Sequence, residues 1–401
     1  MPRPLKHPKP DFALQPSEHW WSDHYDEFLA RGYRLRERYN RKVMDAWLVH
    51  SEFDDYEARG RGLLDIPDDD RTASVGMDAV RTSRNDGLVW IKLLRLEESV
   101  DSLENLRVED VREGLINNVF VAHPDPFDHC VPLADIFLAH DKPLAELTAS
   151  DVKFTCVCLV YPWGMLVDRH PWRMAAEAIS FVQQLLEGLV YLHRLNIAHR
   201  DIHPRNIVMS LVPIFLDVDP VRNLRMQLDD APYRDRIEVP ATYWYIDFGL
   251  STHFSDDNHI VEWEAGVLLL PEVFGMDSPP RGSKPTRTPY DALAGDVWQL
   301  GSTFKFFFEN SIPSLCPLLD AMTQSDPSKR PTAEQCLADF HARTDRLSRW
   351  QLLRPVRDAH YILRQPVSGK VRRLCFLMRW KEYFRLLWKA IRLGLPKRET
   401  S

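Results

Sequence analysis

The strongest constraint on this chain is a change of pattern near its middle. MAAEAISFVQQLLEGLVYLHRL, residues 174–195, repeats apolar side chains at spacings of three and four, as a packed helix does. It runs almost directly into the polar stretch HRDIHPRN, and Asp247-Phe248-Gly249 later follows the apolar strand YWYI. Upstream, between Leu63 and Cys158, the pattern is strand-like with one amphipathic interruption, VEDVREGLINNVF. Further helical stretches lie near 291–308, 313–323 and 332–341. The coarse expectation is a small mixed lobe followed by a larger helical one.

Composition enters mainly to exclude. With 44% hydrophobic residues in 401, the chain is rich enough to bury a sizeable core. Its net charge of −7 by itself predicts neither nucleic-acid nor membrane binding, and no nucleic-acid partner is expected. That charge is uneven: residues 341–401 hold 16 Lys and Arg against four Asp and Glu, or +12, leaving −19 on the rest. The six cysteines form no Cys-x-x-Cys pair, which disfavours a zinc ribbon and suits reduced thiols in a cytoplasmic protein. The opening MPRPLKHPKP is proline-rich, and HWWSDHYDEFLARGYRLRERYN after it reads as a docked aromatic arm.

The polar positions suit phosphoryl transfer, which needs a proton acceptor, oxygen ligands for Mg²⁺ and a cation on the nucleotide phosphates. Asp201 fits the acceptor, and Asn206 and Asp247 offer the hard oxygens that Mg²⁺ takes. Lys92, closing the strand LVWIK, fits the cation. Glu113 is the residue to hold that lysine, with Glu109 one helical turn earlier as the alternative.

In this order the motifs resemble those of the eukaryotic protein kinases. HRDIHPRN resembles the catalytic loop and IDFGLS the magnesium loop. LLLPE, ending in Pro271-Glu272, resembles the close of the activation segment. GDVWQLG resembles the helix beneath the catalytic loop, and DPSKRPTAEQCL the last helical region. The resemblance implies that Asp296 braces the catalytic loop and that Arg330 pairs with Glu272. It makes Tyr161 the gatekeeper and Pro162, Trp163 and Gly164 the nucleotide hinge. The implied fold is α+β and two-lobed, with a strand-rich N-lobe carrying one αC helix (63–161) and a helical C-lobe (162–340). The arm (1–62) and a basic tail (341–401) flank these lobes, and an insert at about 211–240 reads as a surface excursion. The arm and YWYIDFGLS also resemble kinase-domain proteins of mushroom-forming fungi. The implied activity is ATP- and Mg²⁺-dependent phosphorylation of protein Ser or Thr, with a pseudokinase scaffold as the alternative.

The departures from the family pattern are specific. The glycine-rich loop is reduced to Gly76 in DDDRTASVGMDAVRTSRNDG, which predicts a looser phosphate lid. Trp90 stands where a small alanine packs on adenine, and its indole would crowd the base. His203 replaces the catalytic-loop lysine, and Glu264-Ala265-Gly266 replaces the expected Gly-Thr. Arg200 resembles the arginine that receives an activation-loop phosphate, with Thr252 and Ser255 as candidate acceptors. In the tail, VRRLCFLMRWKEYFRLLWKAIRLGL gathers Phe376, Trp380, Phe384, Leu387, Trp388, Ile391 and Leu395 on one arc. Lys381, Arg385, Lys389 and Arg392 take the adjoining arc. Residues 371–395 therefore read as a helix docked on the acidic remainder, an interfacial helix on anionic membrane, or a target for a calmodulin-like partner.

Overall fold

The computed structural model describes residues 14, 18–36, 39–42, 76–82, 87–103, 112–140, 142, 153–167, 172–215, 233–264, 266, 268–275, 289–308, 311–356, 380–381 and 383–392. Residues 68–75, Glu109, residues 216–232, Cys375, Phe376 and Leu395 lie outside these. Contacts divide the chain into two units. The first holds residues up to Val111, Pro132–Trp163 and Phe215–Pro232; the second holds Arg112–Val131, Gly164–Ile214 and Tyr233–Ser401. The chain crosses between them five times, one crossing falling between Trp163 and Gly164.

Alternation builds the first unit. Its antiparallel sheet runs β1(Tyr33–Leu35), β2(Gly76–Arg81), β3(Gly87–Val100), β5(Phe154–Pro162), β4(Asp135–Ala139) in spatial order. Val89, Ile91 and Leu93 are buried on one face of β3, where they join Cys156, Cys158 and Val160 of β5. The aromatic arm covers that face. Helices α1(His19–Asp23) and α2(Tyr25–Ala30) bring Trp20, Trp21, Tyr25 and Phe28 into the same core cluster. Phe28 meets the Phe137 ring edge-on at 5.6 Å, and Tyr33 stacks on it at 5.8 Å. The arm is thus part of the sheet: it supplies the edge strand β1 and much of the apolar cover.

In the second unit, α3(Arg112–Ala122) is the amphipathic interruption seen in the sequence. Helix α4(Ala175–Arg194) is the periodic segment, buried along most of its length. It leads through β7(Ile197–Ala198) to the catalytic-loop motif. The ribbon β6(Gly164–Leu166), β8(Ile207–Ser210), β9(Tyr243–Tyr245) delivers the Asp-Phe-Gly motif from its far strand. Short helix α5(Pro271–Phe274) precedes α6(Ala292–Phe308), which passes beneath the loop; after α7(Cys316–Met322), α8(Ala333–Thr344) opens on a capping box made by Thr332 and Gln335. On the described flanks of the insert Ile214, Asp235, Arg236 and Ile237 are all buried. Among the described residues no helix is long and apolar enough to cross a membrane.

Candidate active site

The loop after β7 is held from below by one face of α6. Asp296, fully buried, accepts the backbone N–H groups of His199 and Arg200, both at 2.7 Å. One turn on, Gln299 accepts from the Ile202 N–H at 2.9 Å and donates to the Arg200 carbonyl at 3.0 Å. Four backbone groups across residues 199–202 are therefore fixed by two side chains. Sequence pattern pointed to Asp296; it gave no sign of Gln299. The bracing holds Arg200 at φ 69°, and Asp247 sits at φ 64°. Backbone strain of this kind persists only where the surroundings over-determine it.

Within the loop the polar groups converge on Asp201. The Asn206 amide donates to the Asp201 carbonyl at 3.0 Å and to its Oδ2 at 3.1 Å. His203 Nε2 faces the same Oδ2 at 3.4 Å. Because His203 Nδ1 accepts from the Arg205 N–H, the neutral imidazole carries its proton on Nε2, the nitrogen nearer Asp201. His199 follows the same logic: its Nδ1 accepts from the Asp201 N–H and its Nε2 donates to the Ile246 carbonyl. Both of its nitrogens are committed to backbone, which leaves His199 no role as a base. Phe248 lies between His199 and Phe120 of α3, at ring distances of 5.0 and 5.1 Å.

Arg200 links this loop to the activation segment. Its guanidinium donates to the Leu250 and Glu262 carbonyls, to Thr252 Oγ1 and to Glu264 Oε1 at 3.2 Å. Arg112, at the start of α3, reaches the other Glu264 oxygen at 3.4 Å. Partial burial opposes ionisation of Glu264, but Arg200 and Arg112 outweigh it and hold the carboxyl below the ordinary glutamate range. Sequence reasoning saw in Glu264 only a departure from Gly-Thr. The signal was present: an acidic residue in the segment that must face Arg200. Gly266 comes next to Asp201, where an added Cβ would lie 3.6 Å from Oδ1 and 2.8 Å from the Trp263 ring. Its φ of 149° also favours glycine.

On the first unit, register places Gly76 opposite Lys92 and Leu159 opposite Lys92, with Asp78 and Tyr161 opposite Trp90. Opposed residues share a face, so Gly76, Trp90, Lys92 and Tyr161 lie together, on the side away from the arm. The Trp90 indole fills the space above Gly76; an added Cβ there would come within 2.5 Å of the ring. Glycine at 76 is thus required by tryptophan at 90. Asp78, on the same face, is paired with Arg36. Pro162 closes β5, and the Trp163 N–H donates to the Leu88 carbonyl at 3.1 Å. Lys92 belongs to the first unit, whereas Glu113, buried in the first turn of α3, belongs to the second with Asp201, Asn206 and Asp247.

The expected scaffold pair is present. Arg330 donates to both oxygens of Glu272 at 2.8 and 2.7 Å, and to the Ala294 and Gln324 carbonyls. Among the described residues no group of three His, Cys, Asp or Glu is placed to hold a metal.

Comparison with known proteins agrees with this geometry. Residues 164–341 match the protein kinase domain, a stretch that contains Asp201, Asn206, Asp247, Glu272, Asp296 and Arg330. The rat serine/threonine-protein kinase MAK is 28% identical over 200 residues, covering 44% of this chain and 31% of the relative. Rice serine/threonine-protein kinase/endoribonuclease IRE1 is 24% identical over 290 residues, covering 64% of this chain and 29% of the relative. The mitogen-activated protein kinase pmk-1 of Caenorhabditis elegans is 25% identical over 202 residues, covering 43% and 52%. The chain spans about a third of the length of the first curated relatives it matches. Residues 164–341 thus match a protein kinase domain, and with these relatives they support a place in the eukaryotic protein-kinase-like superfamily.

Proposed function

We propose that this chain transfers the terminal phosphate of ATP to Ser or Thr hydroxyls of a protein acceptor. The observation that carries the proposal is the Asp201 cluster: a carboxylate oriented by Asn206 and His203 on a loop braced by Asp296 and Gln299. Asp201 orients the acceptor hydroxyl and takes its proton. Asn206 spends its amide N–H₂ on Asp201, which leaves its carbonyl oxygen as a hard donor. With Asp247 it makes a sparse set, which suits a magnesium ion that keeps water and phosphate among its ligands. Mg-ATP, when bound, supplies the phosphoryl group and neutralises its charge. Lys92 is assigned to the phosphates, and Tyr161, Pro162 and Trp163 to the adenine side. His203 places an imidazole nitrogen 3.4 Å from Asp201 where an ammonium would give fixed positive charge, so slower transfer is expected. Glu264 fills the anion position beside Arg200, so activity should not need a phosphate there.

One observation favours a binding module that transfers little: the Trp90 indole lies on the Lys92 face. A single experiment separates the two. Transfer from labelled ATP to a protein acceptor is measured for wild type, Asp201→Asn and Asp247→Asn, with nucleotide affinity from thermal shift. The enzyme assignment requires that Asp201→Asn lose most transfer while keeping Mg-ATP affinity, and that Asp247→Asn lose affinity. Equal labelling by wild type and Asp201→Asn refutes it.

A further inference from the structure

Residues 380–381 and 383–392 of the basic tail are helical and pack within the second unit. Of the apolar arc, Leu387 joins that packing beside Tyr383, while its described aromatic members do not. Leu386 and Ala390 are buried against Met174, Ile237 and Leu353, and Tyr383 Oη donates to the Leu353 carbonyl at 3.0 Å. Arg385 donates to both oxygens of Asp235 at 2.9 and 2.6 Å. Lys389 reaches Asp235 at 2.6 Å and Glu238 at 3.0 Å. Asp235 is buried; desolvation raises its pKa, but the two cations prevail and hold it below the ordinary aspartate range. Arg349 donates to the Ala390 and Ile391 carbonyls, satisfying the end of the helix. These contacts fix the rotation of the helix about its axis.

That rotation leaves Trp380, Phe384, Trp388 and Ile391 facing water at 38, 57, 60 and 52% exposure. Their spacing of four, four and three residues makes one continuous stripe along the helix. Trp380 and Phe384 touch at a ring distance of 5.7 Å, and the Arg392 guanidinium lies 5.2 Å from the Trp388 centroid. Trp350, on the one-turn helix that donates from Arg349, is 70% exposed. An apolar stripe of this size on a surface marks an interaction site. Its chemistry selects among partners. The stripe is convex, a helix ridge and not a groove, so it suits a flat, deformable surface better than a second helix. Tryptophan favours the bilayer interface, and Lys381, Arg392 and Arg349 are exposed beside it. The whole segment 341–401 carries +12, whereas the two basic side chains nearest Asp235 are already neutralised.

We propose that Trp380, Phe384, Trp388 and Ile391, flanked by Lys381 and Arg392, form a peripheral contact with anionic membrane. The role is independent of nucleotide chemistry. Asp235 and Glu238 act as its mount: they turn the aromatic ridge outward by holding the opposite face.

The test uses the full chain and flotation with two kinds of vesicle, phosphatidylcholine alone and phosphatidylcholine with about one-third phosphatidylserine. Wild type should float with the anionic vesicles at low salt, weaken as the Debye length shortens, and ignore the neutral ones. Trp380→Ser/Phe384→Ser/Trp388→Ser should lower binding at least about tenfold with Tm unchanged, because those rings are exposed. Lys381→Glu/Arg392→Glu should weaken binding and flatten its salt dependence. Three results overturn the proposal. One is failure of wild type to bind either vesicle. Another is loss of Tm in the triple serine variant, which would return the rings to the packed interior. The last is a wild-type dimer that the triple variant converts to monomer without any change in lipid binding, which would make the ridge a protein interface.

Discussion

Gln299 is the residue through which the bracing of the catalytic loop can be tested most directly. Its side chain is buried, as are the two backbone groups that it serves, the Ile202 N–H and the Arg200 carbonyl. Gln299→Leu keeps the volume and strands both. Each buried polar group left without a partner costs about 1–3 kcal/mol, so the pair should cost roughly 2–6 kcal/mol. For a unit of this size that lowers Tm by roughly 5–20 °C. The two stranded groups flank Asp201 in sequence, so the carboxylate should lose its alignment and kcat should fall further than ATP affinity. Gln299→Glu separates hydrogen bonding from packing. The carboxylate still accepts from Ile202 but opposes the Arg200 carbonyl oxygen, so at neutral pH the variant should be at least as unstable as the leucine one. A protonated carboxyl can donate to that carbonyl; its folded-state pKa is therefore raised, and stability should return as pH falls. The leucine variant has no such recovery. A Gln299→Leu protein melting within about 1 °C of wild type with full transfer, or identical pH profiles for the two variants, would refute the bracing.

Further outcomes follow from three residues, Glu264, Trp90 and Gly266. Glu264→Gln should lower transfer severalfold with little effect on stability, since the half-exposed bridge is worth at most about 1 kcal/mol; phosphatase treatment of wild type should leave transfer unchanged. Because the folded-state pKa of Glu264 is lowered, the bridge is complete above the ordinary glutamate range and is lost as pH falls through the folded value, which hydrogen exchange at the start of α3 would report. Trp90→Ala should tighten nucleotide binding by thermal shift with only a small loss of Tm, since the indole stands outside the arm-covered core; a large fall in Tm with unchanged affinity would contradict that placement. Gly266→Ala should cost roughly 1–3 kcal/mol and raise KM for the protein acceptor, because the new methyl strains the backbone and displaces Trp263 beside Asp201.

Residue type made some of this site visible in the sequence and position hid the rest. Asp201, Asn206 and Asp247 stood out because acidic and amide side chains in short loops beside apolar strands have few structural explanations. The Arg330–Glu272 pair and Asp296 came from the resemblance and occur as expected. Gln299 was hidden because a glutamine inside a helix resembles a solvent-facing one until its buried partners are known. Glu264 and Arg112 lie 152 residues apart, beyond any local pattern. β1 is three residues long, too short for alternation to show, so the arm read as a cover and not as a strand. The tail's apolar arc was legible, yet its rotation was not. That depends on Asp235 and Glu238, carboxylates in an insert whose composition suggested an exposed loop.

The arm's placement over β5 has an experimental use. Cys156 and Cys158 sit fully buried beneath Trp20, Trp21 and Phe28, and burial, reinforced by the neighbouring Cys156, pushes the Cys158 thiol far up from its ordinary value. A thiol in that state does not react with an alkylating reagent until the cover lifts. The rate of alkylation at Cys158 in the untouched protein is therefore a clock for how often the arm leaves the sheet, measurable by mass spectrometry without any label or substitution.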